Sequence, residues 1–223
     1  MIEFMSCHLI IFIFSILVFP IFTFAYNPII NEVTVPYEVK TISEVESQTE
    51  YIGELKGEPH MYEFAIGEST GIKMALMQLH SDTVIPLSLI VVKQNEDRGG
   101  VSEIGRLNGN KTAWQEVNDS VLGLDFNKSE VFETELRPGI YRVEVSTSEN
   151  YGKYALVIGD VPTDEGYFAK LSNIYTFQAF FGKGFLSMFK STYIYYPIGI
   201  FVIIMAFYFT WRNRNKISRS KNV

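Results

Sequence analysis

Two histidines, His60 and His80, are the candidate bases in the long polar part of this sequence. His80 is followed directly by Ser81 and Asp82, a spacing that would suit a weak metal-binding pair at the end of a strand. A Ser–His–Asp hydrolase also needs a base within hydrogen-bonding reach of its serine. No serine sits in a nucleophile-elbow context, in which a strand turns directly into a helix. We therefore interpret His80 as a polar strand end and expect no enzymatic activity.

Two acidic stretches offer oxygen ligands of the kind that calcium takes, Asn95-Glu96-Asp97 and residues 160–165. Neither spacing matches a calcium-loop motif, so solvated turn residues are the better interpretation. A glycine-rich phosphate loop between a strand and a helix is also missing from the sequence. We assign no catalytic, cofactor-binding or metal-binding residue and expect no cofactor.

Three Asn-x-Ser/Thr sequons stand close together, at Asn110, Asn118 and Asn127. Such sequons accept N-linked glycans where the host glycosylates exported chains. The three asparagines are therefore candidate glycosylation sites.

The overall composition limits the class of protein. The chain has 223 residues, of which 47% are hydrophobic and 15% aromatic, and its formal net charge is −6. Such an aromatic-rich chain is not intrinsically disordered, and its acidic balance argues against a nucleic-acid partner. The single cysteine, Cys7, excludes an internal disulfide and a Cys-rich zinc site.

An uncharged apolar block near the N-terminus, Leu9–Ala25, ends in Thr23-Phe24-Ala25. Signal peptidase prefers small residues at positions −3 and −1 before its cleavage site, which Thr23 and Ala25 would occupy for cleavage after Ala25. We predict that residues 1–25 are a signal peptide, with an uncleaved N-terminal anchor as the alternative.

A second uncharged block, residues 191–211, is long enough to cross a bilayer core of about 30 Å and carries aromatic residues at both ends. The tail after it, residues 212–223, has five Lys or Arg residues and no acid, which predicts that this end lies in the cytoplasm. Residues 26–190 contain 24 acidic and 14 basic residues, a net charge of −10. We predict a single-pass protein of the cell membrane with an acidic domain outside and its C-terminus inside.

Between the two blocks, a leader of residues 26–48 precedes a region in which apolar and polar residues alternate. Candidate strands are Glu50–Leu55, Met61–Ile66, Ile72–His80, Ile85–Lys93, Val101–Leu107, Ala113–Val117, Val131–Leu136, Ile140–Ser146 and Tyr154–Ile158. Short strands separated by turn residues, with no helical stretch between them, are typical of sandwiches. We predict an all-β ectodomain, an antiparallel β-sandwich or jelly roll, over residues 49–160.

Two stretches in this region carry a family resemblance. They are Leu136-Arg137-Pro138-Gly139-Ile140-Tyr141-Arg142-Val143-Glu144-Val145 and Gly152-Lys153-Tyr154-Ala155-Leu156, preceded by Tyr51-Ile52-Gly53-Glu54-Leu55 and Met61-Tyr62-Glu63-Phe64. In this order they resemble the bacterial pre-peptidase C-terminal domain, a small β-sandwich of secreted and surface proteins. The resemblance covers about residues 50–159 and implies a sandwich fold. The whole layout is similar to uncharacterised prokaryotic membrane proteins.

The sequence departs from that family in the central apolar strand, residues 85–92, which lacks the Asp-rich pattern common among its members. Some members bind calcium. The resemblance leaves two functional alternatives open: an accessory subunit of a surface peptidase or hydrolase, and a calcium-dependent carbohydrate-binding module.

A Phe-rich segment, residues 161–190, joins the predicted sandwich to the second apolar block. Phe168, Leu171, Tyr175 and Phe180 recur at spacings near three and four, which predicts a short amphipathic helix capped by Thr163 or Asp164. We expect this segment to be ordered against either the bilayer surface or the sandwich.

These features predict a non-catalytic, membrane-anchored cell-surface protein whose sandwich binds, spaces or scaffolds. The expected partners are the lipid bilayer and surface proteins or glycans, and not nucleic acid.

Overall fold

The computed structural model describes residues 26–33, 35–95, 99–163 and 165–220, with side chains described to residue 213. The described strands are β1 (Pro28–Asn31), β2 (Val39–Thr41), β3 (Thr49–Lys56), β4 (His60–Ile66), β5 (Thr70–Leu79), β6 (Ser88–Gln94), β7 (Val101–Leu107), β8 (Trp114–Asp119), β9 (Leu124–Ser129), β10 (Phe132–Leu136), β11 (Gly139–Ser146) and β12 (Tyr151–Ile158). The expected signal peptide lies outside the described residues, as do Glu96, Asp97, Asp164 and the last three residues of the tail.

The strands form two mixed sheets. Sheet A has the order β1-β3-β12-β5-β9-β8, with β10 also pairing with β5, and sheet B has the order β2-β4-β11-β6-β7. All pairs are antiparallel except the two made by the leader, in which β1 runs parallel to β3 and β2 runs parallel to β4. The predicted β-sandwich is therefore confirmed, with parallel edge strands that the sequence prediction did not include.

The main core lies between the two sheets. In β11, Tyr141, Val143 and Val145 point into this core, while Arg142 and Glu144 point outward and are partly exposed. This alternation is the period-two pattern of a strand with one buried face, as the sequence predicts. The facing surface of sheet A contributes Tyr154 and Leu156.

Helix α1 (Tyr167–Phe180) lies on the outer face of sheet A and creates a second core there. Its buried residues Ile174 and Phe177, together with Phe181, pack with Ile52, Met77, Phe126 and Ala155 of the sheet. The rings of Phe126 and Phe177 meet edge to face at 5.8 Å. The Phe-rich segment is thus ordered against the sandwich, which was one of the two expected arrangements.

The predicted cap of this helix is wrong. The N-cap is Gly166, which has no side chain to accept a backbone hydrogen bond, and the first turn contains no acidic residue. Glu165 instead lies just before the helix and accepts a 2.6 Å hydrogen bond from the side-chain amide of Asn173. The helix is therefore held by packing on sheet A and not by a capping side chain.

The chain leaves the sandwich through a 3₁₀ helix (Phe185–Lys190) and enters helix α2 (Thr192–Ser220). The part Thr192–Asn213 is 22 residues long and apolar enough to cross a membrane, and no residue from Ile194 to Asn213 is buried. The start of this helix is fixed to the turn between β8 and β9. Ser191 Oγ donates to the Val121 carbonyl oxygen at 2.6 Å, and the Thr192 amide donates to the Ser120 carbonyl oxygen at 2.9 Å.

Candidate functional site

The candidate metal-binding pair at His80 is a hydrogen-bonded strand end. His80 Nδ1 lies 3.0 Å from Asn127 Oδ1, and Nε2 lies 3.8 Å from a Glu116 carboxylate oxygen. Asp82 is exposed. Within the part of the chain that the structure describes, no three His, Cys, Asp or Glu side chains gather as a metal ligand set would require.

The described members of the second acidic stretch are engaged in protein contacts. Asp160 accepts a 2.8 Å hydrogen bond from Lys73 Nζ, and Glu165 is held by Asn173 as described above. Neither Asp160 nor Glu165 belongs to a group of three or more metal-ligating side chains among the described residues.

The segment that leads from β4 into β5, residues 67–71, contains Ser69, a candidate nucleophile that the expectation of no elbow serine overlooked. Its residues, Gly67-Glu68-Ser69-Thr70-Gly71, match the letters of the Gly-x-Ser-x-Gly elbow. The segment joins β4 of sheet B to β5 of sheet A, so no helix follows the serine. Ser69 is exposed, and its φ is not positive, since Tyr37 and Asn150 are the non-glycine residues with positive φ among those described. This serine does not have the strained geometry of an elbow.

The three sequons differ in their surroundings. Asn110 and Asn118 are exposed and remain candidate glycosylation sites. Asn127 is buried in β9, and its Nδ2 donates to the Ser81 carbonyl oxygen at 3.2 Å. Asn118 Nδ2 also donates, to Asp125 Oδ1 at 2.6 Å, so it is the burial of Asn127 that disfavours a glycan there in the folded domain.

A cleft of about 800 Å³ opens where the leader, sheet A and helix α1 meet, a volume within the range of ligand pockets. One wall comes from the leader, with Ile30, Asn31 and Val35. The other comes from helix α1, with Tyr175, Thr176, Ala179 and Phe180. Because β1 pairs in parallel with β3, the chain beyond Asn31 is held beside the edge of the sheet and borders this cleft.

Beneath the cleft lies a buried hydrogen-bonded cluster that joins the two sheets. His60 Nδ1 lies 2.7 Å from the Tyr154 hydroxyl, which lies 2.7 Å from the Tyr62 hydroxyl. Asn31 Nδ2 donates to Tyr62 at 3.1 Å and approaches His60 Nδ1 at 3.3 Å. Gly53 makes room for the cluster, because a Cβ there would lie 2.8 Å from both His60 Nδ1 and the Tyr154 oxygen.

The cluster is electrically neutral. Burial, with the charge of Lys56 as a second cause, lowers the pKa of His60, and burial raises the pKa of both Tyr62 and Tyr154. The amide nitrogen of Asn31 can only donate hydrogen bonds, so Nδ1 of His60 is the acceptor in their contact. The neutral imidazole therefore carries its proton on Nε2. An uncharged imidazole and two protonated phenols act as hydrogen-bonding groups, and no member is activated as a nucleophile.

The rim of the cleft is acidic and one wall is aromatic. Glu32, Glu54 and Glu58 line it together with one cation, Lys56, whose Nζ lies 3.0 Å from a Glu54 carboxylate oxygen. Tyr175 on the opposite wall is about half exposed. Carboxylates and an aromatic ring that line the same cleft form a setting that attracts cationic side chains.

Sequence reasoning missed this site because its members lie on separate strands. His60 and Tyr62 are two residues apart on β4 and share a face, which is the one local signal that the sequence contains. Tyr154 lies 92 residues beyond Tyr62, and only the pairing of the sheets brings their hydroxyls together.

No protein-family model matches the chain, and no curated protein matches it. Among solved structures, the chain is similar to the pre-peptidase C-terminal domain of a collagenase from Bacillus anthracis, with 16% identity, a TM-score of 0.36, and coverage of 57% of this chain and 98% of that one. It is also similar to PliG of Aeromonas hydrophila, a periplasmic inhibitor of g-type lysozyme, with 12% identity, a TM-score of 0.32, and coverage of 55% and 96%. The first of these belongs to the family that the sequence resembles. At these TM-scores neither likeness assigns a function.

Proposed function

We propose that this protein is a non-catalytic binding module held on the cell membrane. In this proposal, helix α2 crosses the bilayer, the β-sandwich lies outside the cell, and the basic C-terminal tail lies in the cytoplasm. The cleft between β1 and α1 is the binding surface. Spacing or scaffolding other surface proteins would also be a non-catalytic role for this module.

The observation that carries the proposal is the direct connection between the sandwich and an apolar helix of membrane-spanning length. Ser191 and Thr192 are both buried, and both bond to the β8–β9 turn before the exposed apolar part of α2 begins. A helix that belonged to a soluble core would be covered, whereas no residue of α2 from Ile194 to Asn213 is buried. The five positive charges after Trp211 support the cytoplasmic orientation of its end.

The chemistry of the cleft supports a cationic partner. Three glutamates border it against one lysine, and residues 26–190 as a whole carry a net charge of −10. A basic segment of a surface protein would be attracted by this field and would find Tyr175 available for a cation–π contact.

The orientation is tested by adding protease to intact cells. The external sandwich should be degraded, leaving a small membrane fragment that contains the tail. A chain that survives intact outside but is cleaved after the cells are opened would overturn the proposed orientation.

Cleft binding is tested with Lys- and Arg-containing peptides on the full chain in lipid nanodiscs. The double variant Glu54→Gln with Glu58→Gln should bind such peptides about 1 kcal/mol more weakly, which is roughly fivefold in Kd. Glu130→Gln with Glu135→Gln changes the net charge equally at exposed positions outside the cleft and is the matched control. Equal weakening by both pairs would show that only the overall charge matters and would contradict a site in the cleft.

The non-catalytic part of the proposal has its own test. Turnover of peptide or ester substrates by the full chain, abolished by His60→Gln, would overturn it. A rise in melting temperature on adding calcium would favour the calcium-dependent carbohydrate-binding alternative instead.

A further inference from the structure

Four large apolar side chains remain exposed beside the start of helix α2. They are Phe168 (82% exposed), Phe185 (63%), Leu186 (78%) and Phe189 (48%), and we call them the collar. Phe168 lies in the first turn of α1, and the other three lie on the 3₁₀ helix. Large apolar side chains exposed together in this way indicate a contact surface, because burying them would remove apolar area from water.

The collar lies next to the apolar helix because two connections hold it there. The Tyr167 hydroxyl, adjacent in sequence to Phe168, donates a 2.7 Å hydrogen bond to the Tyr193 carbonyl oxygen. The 3₁₀ helix ends at Lys190, and the Ser191 amide bonds back to the Met188 carbonyl oxygen at 2.9 Å. Both parts of the collar are thus attached within a few residues of the point where α2 becomes exposed and apolar.

The same region fixes the position of the sandwich relative to the start of helix α2. Met188 and Ser191 are buried against the domain, and Ser191 and Thr192 are hydrogen-bonded to the β8–β9 turn. Within the described chain no unattached linker separates the domain from α2, so the collar stays beside the start of that helix.

We infer that the collar inserts into the headgroup layer of the lipid bilayer and holds the sandwich directly against the membrane surface. Apolar side chains at such an interface enter about 5–10 Å, to the boundary between headgroups and acyl chains. The exposed Lys190 lies beside Phe189 at the level where lipid phosphates would accept its charge. This inference rests on the proposed insertion of α2 and adds a second contact with the same bilayer.

The bilayer fits the collar better than a second copy of the chain. The collar is continuous with a span whose apolar residues already require lipid, whereas residues 26–190 carry a net charge of −10 and would repel a copy brought face to face.

The test uses the full chain with Cys7→Ser, reconstituted at one chain per nanodisc and labelled at single introduced cysteines with an environment-sensitive fluorophore. Leu186→Cys reports the collar and Phe201→Cys reports the span. Val131→Cys, which replaces an exposed apolar residue between β9 and β10, is the matched control. Quenching by brominated lipid and by aqueous iodide is measured at each site.

We expect brominated lipid to quench most of the fluorescence of the labels at positions 186 and 201 and to leave the label at position 131 unchanged. Aqueous iodide should quench the label at position 131 and leave the other two labels largely unchanged. If brominated lipid quenches the label at position 201 but the label at position 186 behaves like the one at position 131, the membrane insertion of α2 is supported and the collar inference is overturned. If Phe201 is also open to iodide, the proposed membrane insertion itself fails. If Leu186 becomes protected only when discs hold two chains, a second copy is the occupant and the inference is again overturned.

Discussion

Gly123 lies directly against the backbone of Lys190. A Cβ built on Gly123 would come within 2.7 Å of the Lys190 carbonyl carbon and 2.8 Å of the Ser191 nitrogen, and the φ of Gly123 is +63°. The β8–β9 turn therefore approaches the end of the 3₁₀ helix as closely as glycine alone permits. The hydrogen bonds of Ser191 and Thr192 to this turn depend on that approach.

We expect Gly123→Ala to separate the 3₁₀ helix from the β8–β9 turn. An alanine at this φ costs about 1–2 kcal/mol, and the overlap with Lys190 adds about 1–3 kcal/mol. Gly182→Ala is the matched control, because Gly182 has a φ of +75° with open space where the Cβ would lie. Urea unfolding in detergent micelles measures both, and equal losses for the two variants would contradict a close contact at Gly123.

Phe177 tests whether α1 belongs to the folded domain. Its ring is buried and contacts the rings of Tyr26, Phe126 and Phe181. We expect Phe177→Ala to reduce the free energy of unfolding by about 3–5 kcal/mol, the usual cost of deleting a buried aromatic ring. Phe168→Ala on the same helix removes an exposed ring and should change the stability in micelles by less than about 0.5 kcal/mol. A small loss at Phe177 would mean that α1 is a detachable tether.

The sequence predicts those parts of the fold in which burial follows a local period. The alternation of Tyr141, Val143 and Val145 identifies β11. The uncharged block at residues 191–211 likewise predicts an apolar helix, because its length and composition require no tertiary information.

Strand β9 shows why other elements cannot be predicted from a local period in the sequence. Its sequence contains Asp125, Asn127 and Lys128, which hide the period-two pattern. Asn127 and Ser129 are nevertheless buried, because partners from other strands satisfy them; the Leu76 amide, for example, donates to Ser129 Oγ at 2.9 Å. A buried polar residue is recognisable only when its partner is known, and here the partners are about 50 residues away along the chain. The cluster beneath the cleft was missed for the same reason.

The cluster of His60, Tyr62 and Tyr154 should behave as one energetic unit. Tyr154→Phe removes the hydroxyl that links the other two, and we expect a loss of about 1–3 kcal/mol because buried polar atoms lose their partner. In the double variant with Tyr62→Phe, the losses should be less than additive. Tyr141→Phe, which removes a separate 2.6 Å hydrogen bond to the Arg137 carbonyl oxygen, should add fully to Tyr154→Phe. Additive losses for both pairs would contradict a coupled cluster.

Glu50 is a fully buried carboxyl group at the start of β3. It accepts hydrogen bonds from the Asn27 amide at 2.8 Å and from Gln48 Nε2 at 2.9 Å, and Asp119 lies near enough to repel its charge. Asp119 itself accepts a hydrogen bond from the Tyr26 hydroxyl. Burial is the largest effect and outweighs the two hydrogen bonds, so it raises the pKa of Glu50 from 4.5 to about 7.

The raised pKa makes the folded state bind a proton that the unfolded state releases, and the stability should therefore fall as the pH rises from about 4.5 to about 7. Glu50→Gln is neutral at every pH, so its stability relative to the natural chain should increase across this range by about 3 kcal/mol and then level off. The lowered pKa of His60 produces the opposite slope in both chains and cancels in the difference. Urea unfolding at a series of pH values measures this difference, with Glu54→Gln on the same strand as a partly exposed control. A difference for Glu50→Gln that does not vary with pH would mean that the carboxyl group is ionised in the folded domain throughout.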